Sequence, residues 1–180
     1  MSLPQPYEER IAAVLRELGI PASYGSTTGM ARQREAEDLV SVGADIYGRE
    51  QRLAPEAAAR WQAMRAAAEP SGVSLRLVSG FRSVDYQQQI WARKLAAGQT
   101  VEQILRVSAP PGYSEHHTGR AVDVTAPGCR ALTEEFEGTP AFAWLAAHAG
   151  EFGFSMTYPR GNRYGVVYEP WHWAVRELTG

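Results

Sequence analysis

Apolar residues recur at intervals of three and four along much of the chain, which is typical of the buried face of an amphipathic helix. Ile11, Val14, Leu15 and Leu18 form the first such stripe, and Gly19 ends it. A proline or a capping Ser or Thr marks the start of the later ones. The pattern predicts five helices, over residues 7–18, 55–68, 84–97, 100–107 and 140–152.

Two other segments alternate apolar and polar residues, as strands with one buried face do. One is "VSLRLVSG". The other is "RAVDVT", which places Ala121 and Asp123 on one face and Val122 and Val124 on the other. Shorter strands are expected at residues 38–43, at 153–156 and on both sides of Pro170 within 164–175. The segment 21–34 is rich in Gly, Ser and Thr, so we expect a loop or arm there.

These helices and strands do not alternate regularly, which argues against a parallel sheet with crossover helices. The sequence therefore predicts an α+β protein with a central, mostly antiparallel sheet flanked by helices. Its 180 residues are enough for one domain with a proper core, and few for two.

Composition excludes several classes of function. A formal net charge of -2 gives no indication of nucleic acid or an anionic membrane as a partner. The single cysteine, Cys129, rules out an internal disulfide and a four-cysteine zinc site, and is expected to be a small, partly buried loop residue. No apolar run reaches the roughly 18–20 residues that span a bilayer. The start lacks the pattern of a secretory signal, so we expect either a cytoplasmic protein or one whose signal has been removed.

The candidate chemistry lies in the stretch "YSEHHTGRAVD", which contains two adjacent histidines, His116 and His117, and ends at Asp123. A hydrolytic zinc site typically has three protein ligands from His and Asp or Glu. If Asp123 points from a strand into a cleft, a histidine of the preceding loop can reach the same metal, since Gly119 lets the backbone turn sharply. His172, in "EPWHW", would complete the set from a neighbouring strand.

Glu169 stands three residues before His172, and Pro170 between them makes the bend rigid, so both side chains can converge on one cleft. A carboxylate near a metal-bound water can take its proton and pass it to a leaving amine. On spacing alone, two histidines and an aspartate also suit ordinary surface or core positions. The helical His-Glu-x-x-His pattern of many zinc proteases is absent.

Three motifs in this order resemble those of a known family. "SEHHTGRAVD" fits Ser-x-His-x-x-Gly-x-Ala-x-Asp, "EPWH" fits Glu-x-x-His, and "SGFRSVDYQ" precedes both. Over roughly residues 39–173 the chain resembles the zinc D-alanyl-D-alanine carboxypeptidases of the VanY type. These belong to a wider group with the VanX dipeptidases, the lysostaphin-like endopeptidases and the hedgehog signalling domain. The resemblance implies a hedgehog-like peptidase fold, with an N-terminal helix and arm at 1–38 and the catalytic domain at 39–180.

The resemblance also implies a role for each motif residue. It gives one Zn²⁺ ion three ligands, His116, Asp123 and His172. It makes Glu169 the catalytic base and proton shuttle. Arg82 is similar to the active-site arginine of the family, which is placed to stabilise the oxyanion or the substrate carbonyl.

Ser114 and Gln87 match positions that line the substrate cleft and hold the peptide or its terminal carboxylate. The implied partner is a peptidoglycan stem peptide or another D-Ala-terminated peptide, with no nucleic acid and no transmembrane segment. Three alternatives stay open: an L,D- or D,D-dipeptidase or endopeptidase on other wall peptides, a non-catalytic zinc-binding module, and a metal-free wall-anchoring module. The presence of Glu169 and Arg82 argues against the second, and the third needs the three ligands to lie apart.

The remaining candidates are expected to have supporting roles. His117 fits no ligand position, so we expect it behind the site or exposed, and more tolerant of replacement than His116. His148, in an apolar helix, is expected to be structural, and Trp171 to pack where it fixes the His172 loop. Three tyrosines are candidates to reach the cleft: Tyr113, Tyr164 and Tyr168.

Overall fold

Six α-helices and two antiparallel sheets make up residues 5–176, the part of the chain that this computed structural model describes. The helices are α1 (Gln5–Glu17), α2 (Tyr24–Thr28), α3 (Pro55–Ala68), α4 (Val84–Ala96), α5 (Val101–Leu105) and α6 (Pro140–His148). The strands are β1 (Val40–Ala44), β2 (Glu50–Leu53), β3 (Arg76–Ser79), β4 (Ala121–Thr125), β5 (Phe154–Met156) and β6 (His172–Val175). Short 3₁₀ turns lie at Glu69–Ser71, Glu115–Thr118, Glu134–Gly138 and Ala149–Phe152.

The main sheet has four strands in the order β3-β4-β6-β5, and all neighbours are antiparallel. In the pairing of β4 with β6, Asp123 lies directly opposite His172. Directly opposed residues on antiparallel strands project to the same face of a sheet. The register therefore places these two side chains next to each other, although 49 residues separate them along the chain.

The two faces of β4 have different environments, as the alternation in "RAVDVT" predicts. Val122 and Val124 pack into the larger core, which the main sheet forms with α3 and α6. Asp123 alternates with them and lines a cleft on the other face. Other large members of this core are Trp61, Met64, Leu77, Phe136, Leu145 and Trp173.

A second core joins the N-terminal segment to α4. Ile11 and Leu15 of α1 and Tyr24 of α2 pack in one cluster with Val84 and Trp91 of α4. The predicted arm therefore packs against the rest of the protein through apolar contacts. The division of the chain at residue 38 stays a prediction, and its outer limits, residues 1 and 180, lie outside the described part.

The mixed architecture confirms the α+β prediction, and all five predicted helices are present within a few residues of their expected ends. The predicted caps are also present. Ser83 accepts a hydrogen bond from the Tyr86 N–H, and Thr100 and Thr139 cap α5 and α6 in the same way. Among residues 5–176, none of these helices is both long and apolar enough to cross a membrane.

Three segments differ from the sequence prediction. The loop expected at 21–34 contains the short helix α2. The ring of Tyr24, at its start, is buried, and the Thr28 hydroxyl at its end donates a hydrogen bond to the Tyr24 carbonyl. Strand β2 was not predicted, because its sequence "EQRL" is polar and only Leu53 is fully buried. The strand expected before Pro170 is wrong. That segment is irregular because its N–H groups bond elsewhere, Val167 to the Arg106 carbonyl and Glu169 to the Tyr158 carbonyl.

Candidate active site

The structure brings His116, Asp123 and His172 together in one buried group, with one possible ligand atom of each within 4.8 Å of the others. His116 Nε2 lies 3.2 Å from Asp123 Oδ2, and His172 Nδ1 lies 3.0 Å from Asp123 Oδ1. Two ligands of a tetrahedral zinc ion lie about 3.3 Å apart, given bonds of about 2.0–2.1 Å. The spacing and the donor set of two imidazoles and one carboxylate therefore fit a zinc site.

His116 belongs to the 3₁₀ turn before β4, and two glycines set its position. Gly119 ends this turn at φ +64°, and a Cβ there would lie 2.8 Å from the Ala54 amide nitrogen. The Gly80 carbonyl lies 2.6 Å from His116 Nδ1. A carbonyl only accepts, so Nδ1 carries the proton and Nε2 presents its lone pair. Burial lowers the pKa of His116 to about 4, and the nearby Arg82 charge adds to this, so the ring is neutral.

His116 Nε2 also provides the test of whether a metal fits. It is a fully buried nitrogen without a hydrogen-bond partner among the described residues. Buried polar atoms are nearly always paired, so an unpaired one needs an explanation. A metal ion in contact with this lone pair and with the Asp123 carboxylate would supply the missing partner.

His172 is held from both sides by carboxylates. Its Nδ1 faces Asp123, and its Nε2 lies 2.9 Å from Glu115 Oε2. Burial lowers the pKa of His172, but the hydrogen bonds to Asp123 and Glu115 outweigh it and raise the pKa to about 10. The two carboxylates thus favour a positive charge at the His172 ring. A metal cation bound at Nδ1 would provide this charge in place of a proton.

Glu115 contacts a proposed ligand directly, and the sequence did not predict it. Its carboxylate also accepts hydrogen bonds from the Thr157 hydroxyl, at 2.6 Å, and from Arg176, at 3.3 Å. Hydrogen bonds from His172 and Thr157 lower the pKa of Glu115 despite its burial, so it is a fixed anion behind His172. The available signal was a carboxylate immediately before the first ligand in "SEHH", but nothing in the sequence showed that it would face the second histidine.

Glu169 lines the same cleft, and its carboxylate makes no hydrogen bond with the described residues. The residue is only 8% exposed. Burial raises the pKa of Glu169 to about 7, and the negative charge of Asp123 adds to this. A carboxylate with a pKa near neutrality can both accept and donate a proton, as a general base and acid must.

Arg82 reaches the cluster from the segment before α4, with one terminal nitrogen 3.7 Å from Asp123 Oδ2. Its Nε is buried and unpaired among the described residues. Its backbone is held by both histidines of the motif. The Arg82 N–H donates to the His116 carbonyl, and the Arg82 carbonyl lies 2.6 Å from His117 Nδ1.

His117 is therefore neither a ligand nor exposed. It is fully buried, and its second nitrogen, Nε2, accepts a hydrogen bond from the Gly112 N–H at 3.1 Å. The alternative that placed it in solvent is wrong, because the backbone of Arg82 and of the loop at Gly112 close around the ring. Burial lowers the pKa of His117 to about 4, so the ring is neutral.

The cleft has a volume of about 410 Å³, and both predicted substrate residues line it. Gln87 is almost fully buried, and its amide nitrogen donates to the Ser108 hydroxyl and the Ala109 carbonyl. Its Oε1 is left unpaired among the described residues. An oxygen acceptor repels a carboxylate, so this orientation favours binding of a peptide N–H. Ser114 is buried, and its side chain does not cap the turn that it begins.

Apolar side chains form the rim of the cleft. Val107 and Leu132 line it and are 43% and 47% exposed. Leu132 has φ +56°, the one positive value outside glycine among the described residues. Trp171 packs against the larger core and also lines the cleft, and its role in fixing the His172 loop stays a prediction. Tyr158 does line the cleft, and the centre of its ring lies 5.0 Å from that of His172.

The other singled-out residues lie away from the cluster. The three candidate tyrosines are absent from the cleft lining, so that expectation is wrong: Tyr113, Tyr164 and Tyr168. His148 bonds to Glu151 at 2.8 Å on the surface and packs beside Trp144. Cys129 is half-buried against the larger core, as expected.

Comparison with known proteins gives a consistent family. The model of the VanY family, described as D-alanyl-D-alanine carboxypeptidase, matches residues 50–176. The putative carboxypeptidase YodJ of Bacillus subtilis (strain 168) is 30% identical over 173 residues, which cover 92% of this chain and 59% of that protein. The chain thus spans less than two thirds of the length of this relative.

Solved structures show the same fold. The LD-carboxypeptidase LdcB superposes with a TM-score of 0.70 at 31% identity, covering 79% of this chain and 70% of that one. VanYB in complex with D-alanine-D-alanine gives 0.63 at 29% identity, with 81% and 80% covered. A mutant of VanY from a VanB-type resistance cassette, in complex with Zn(II), gives 0.61 at 29% identity, with 83% and 86% covered.

Proposed function

Since this chain belongs to the VanY family of D-alanyl-D-alanine carboxypeptidases, we propose that it is a zinc peptidase that removes the last D-alanine from peptidoglycan stem peptides ending in D-Ala-D-Ala. The main support for this proposal is the buried group His116, Asp123 and His172, together with the Glu169 carboxylate that lines the same cleft without a hydrogen bond among the described residues. The VanYB structure with D-alanine-D-alanine supports the choice of substrate.

We assign one Zn²⁺ ion to His116 Nε2, the Asp123 carboxylate and His172 Nδ1. When bound there, zinc supplies a Lewis acid that polarises the scissile carbonyl and lowers the pKa of the attacking water. His116 is suited to this role because it is already neutral, and His172 because Glu115 fixes the orientation of its ring.

Glu169 is the proposed general base and acid. Its carboxylate accepts a proton from water as the water oxygen attacks the scissile carbonyl carbon. It then returns that proton to the amide nitrogen as the C–N bond breaks, and D-alanine leaves with a neutral amine. The pKa of about 7 at Glu169 allows both transfers at neutral pH.

Arg82 is the proposed electrostatic stabiliser of the developing oxyanion. Its guanidinium is always charged and offers several donors, of which Nε is unpaired among the described residues. Gln87 would accept an N–H of the peptide through Oε1, and the Ser114 hydroxyl would hydrogen-bond to the peptide beside it. The two residues thus orient the substrate, while Arg82 and Glu169 act on the reacting atoms.

A second candidate reaction is release of D-alanine from a tetrapeptide, where it follows an L-configured centre. The structural similarity to LdcB, an LD-carboxypeptidase, supports this second reaction as a candidate. Both reactions would use the same zinc site and the same general base, Glu169. They differ in the configuration of the residue before the scissile bond.

The experiment is to incubate the purified protein with pentapeptide, tetrapeptide and free D-Ala-D-Ala, with zinc and with a chelator, and to identify products by mass. Zinc-dependent loss of one alanine from the pentapeptide supports the D,D reaction, and loss from the tetrapeptide supports the L,D reaction. Cleavage of the free dipeptide indicates a dipeptidase. Stoichiometric zinc binding without any cleavage would contradict the proposal and favour a non-catalytic zinc module.

A further inference from the structure

Helix α4 presents one face to the cleft, and this face carries polar atoms without partners. Gln87, Ile90 and Lys94 line the cleft at spacings of three and four residues, which is one stripe of an α-helix. Gln87 Oε1 is a buried acceptor without a hydrogen bond among the described residues. Lys94 forms no hydrogen bond or ion pair with any residue in 5–176.

Lys94 is an unusual cation in this chain. It is the one lysine among 18 basic residues, and the other 17 are arginines. It is only half-exposed, and burial lowers the pKa of its ammonium group, while the negative charge of Glu169 partly offsets this. Lysine differs from arginine in carrying a compact charge with three rotatable donors on a flexible stem. Such a group suits a carboxylate that arrives with the substrate.

The position of Lys94 relates it to the reacting end of the cleft. Side chains on an α-helix lean towards the N-terminal end of the helix, which for α4 is the end that follows Arg82. The ammonium of Lys94 is close enough for the charges of Glu169 and Arg82 to act on it. The leaving residue of a carboxypeptidase substrate offers an amide N–H and, one carbon further, a free carboxylate. An acceptor at Gln87 and a cation at Lys94 complement these two groups.

We propose that Lys94 binds the free C-terminal carboxylate of the substrate, and so restricts the site to the last residue of a peptide. The inference rests on the proposed peptidase function and names the group that makes the enzyme an exopeptidase. Arg82 is then available for the scissile carbonyl, so Arg82 and Lys94 have separate roles.

The test compares a pentapeptide ending in D-Ala-D-Ala with the same peptide amidated at its C-terminus. We expect kcat/KM to be about 10- to 100-fold higher for the acid than for the amide, as a charge-assisted hydrogen bond provides. Lys94→Met should remove this preference by lowering kcat/KM for the acid alone, mainly through KM. Lys94→Glu should lower it further for the acid, and Arg93→Met, at the exposed neighbour, should leave the preference unchanged.

A measurement on the unmodified protein avoids any effect of substitution on folding. Because the chain has one lysine, mass spectrometry can follow amine acetylation at Lys94 directly. A non-hydrolysable D-Ala-D-Ala analogue should protect Lys94 from acetylation, and the same analogue amidated at its C-terminus should not. Equal protection by both, or an acid preference that survives Lys94→Met, would overturn the inference. Failure of the proposed function would instead appear as no cleavage of either peptide.

Discussion

The two walls of the cleft differ in whether their polar atoms are already hydrogen-bonded within the protein. On the ligand wall, formed by Glu115–Thr118, β4 and β6, the protein holds the outer atoms of the proposed ligands itself. The Gly80 carbonyl holds His116, and the Glu115 carboxylate holds His172. On the helix wall, formed by the face of α4, Gln87 Oε1 and the Lys94 ammonium are left without partners among the described residues.

This difference indicates which interactions are complete before substrate arrives. A metal site must be organised in advance, since its ligands need a fixed geometry and protonation state. A substrate subsite must instead keep donors and acceptors free for the ligand. Among the described residues of the ligand wall, His116 Nε2 is the buried polar atom without a partner, and it lies where the metal is proposed. Single substitutions can disturb each part of this arrangement separately.

The largest effect is expected at Glu169, which lines the same cleft. Glu169→Gln removes the proton acceptor while it keeps the shape of the side chain, so kcat should fall by about 10³-fold. Zinc content, measured by atomic absorption, should stay at the wild-type value because Glu169 is not a proposed ligand. His116→Ala is the matched control and should lose zinc as well as activity. Loss of zinc in Glu169→Gln would mean that its role is misassigned.

The next effect is expected at His117, which supports Arg82 from behind the ligand wall. His117→Ala leaves the Arg82 carbonyl and the Gly112 N–H without their partners in a fully buried place. The free energy of unfolding should fall by about 3 kcal/mol, measured by urea denaturation. His148→Ala, at the surface, should change it by less than about 0.5 kcal/mol. Equal stabilities of the two variants would contradict the supporting role of His117.

Glu115 tests whether the ligand wall is organised by its outer hydrogen bonds. Glu115→Ala removes the anion behind His172, so zinc should bind about 10- to 100-fold more weakly in competition with a chelating dye. Glu115→Gln keeps an acceptor oxygen and should recover part of this loss. Glu151→Ala removes the exposed carboxylate beside His148 and serves as control. Unchanged zinc affinity in Glu115→Ala would show that the ring of His172 is held by β6 alone.

The smallest effect is expected at Leu132, on the rim. Leu132→Gly relieves the left-handed backbone at φ +56° and should raise the free energy of unfolding by about 1 kcal/mol. It also removes an apolar side chain from the cleft, so KM should rise. Leu132→Ala removes the side chain without relief of the backbone, so it should raise KM and leave stability unimproved. A stability gain in both variants would contradict the assignment of strain.

Local signals carried most of the sequence prediction. The caps at Ser83 and Thr139 and the alternation in "RAVDVT" are short-range patterns, and the structure has them as expected. The pairing of Glu115 with His172 was beyond reach, because it joins residues 57 apart through the packing of the turn against β6. The strand prediction for the segment before Pro170 was wrong for a related reason. Its sequence is apolar enough for a strand, but its hydrogen bonds go to distant loops.

The pairing of Asp123 opposite His172 also bears on how the sheet assembles. Because side chains alternate along a strand, a slip of β6 by one residue against β4 would turn His172 towards the larger core and bring Trp173 to the cleft. Only the observed alignment offers both ligands to one ion. Bound zinc would therefore stabilise this register of β4 and β6 relative to registers shifted by one residue, so metal binding would select the correct strand pairing during folding.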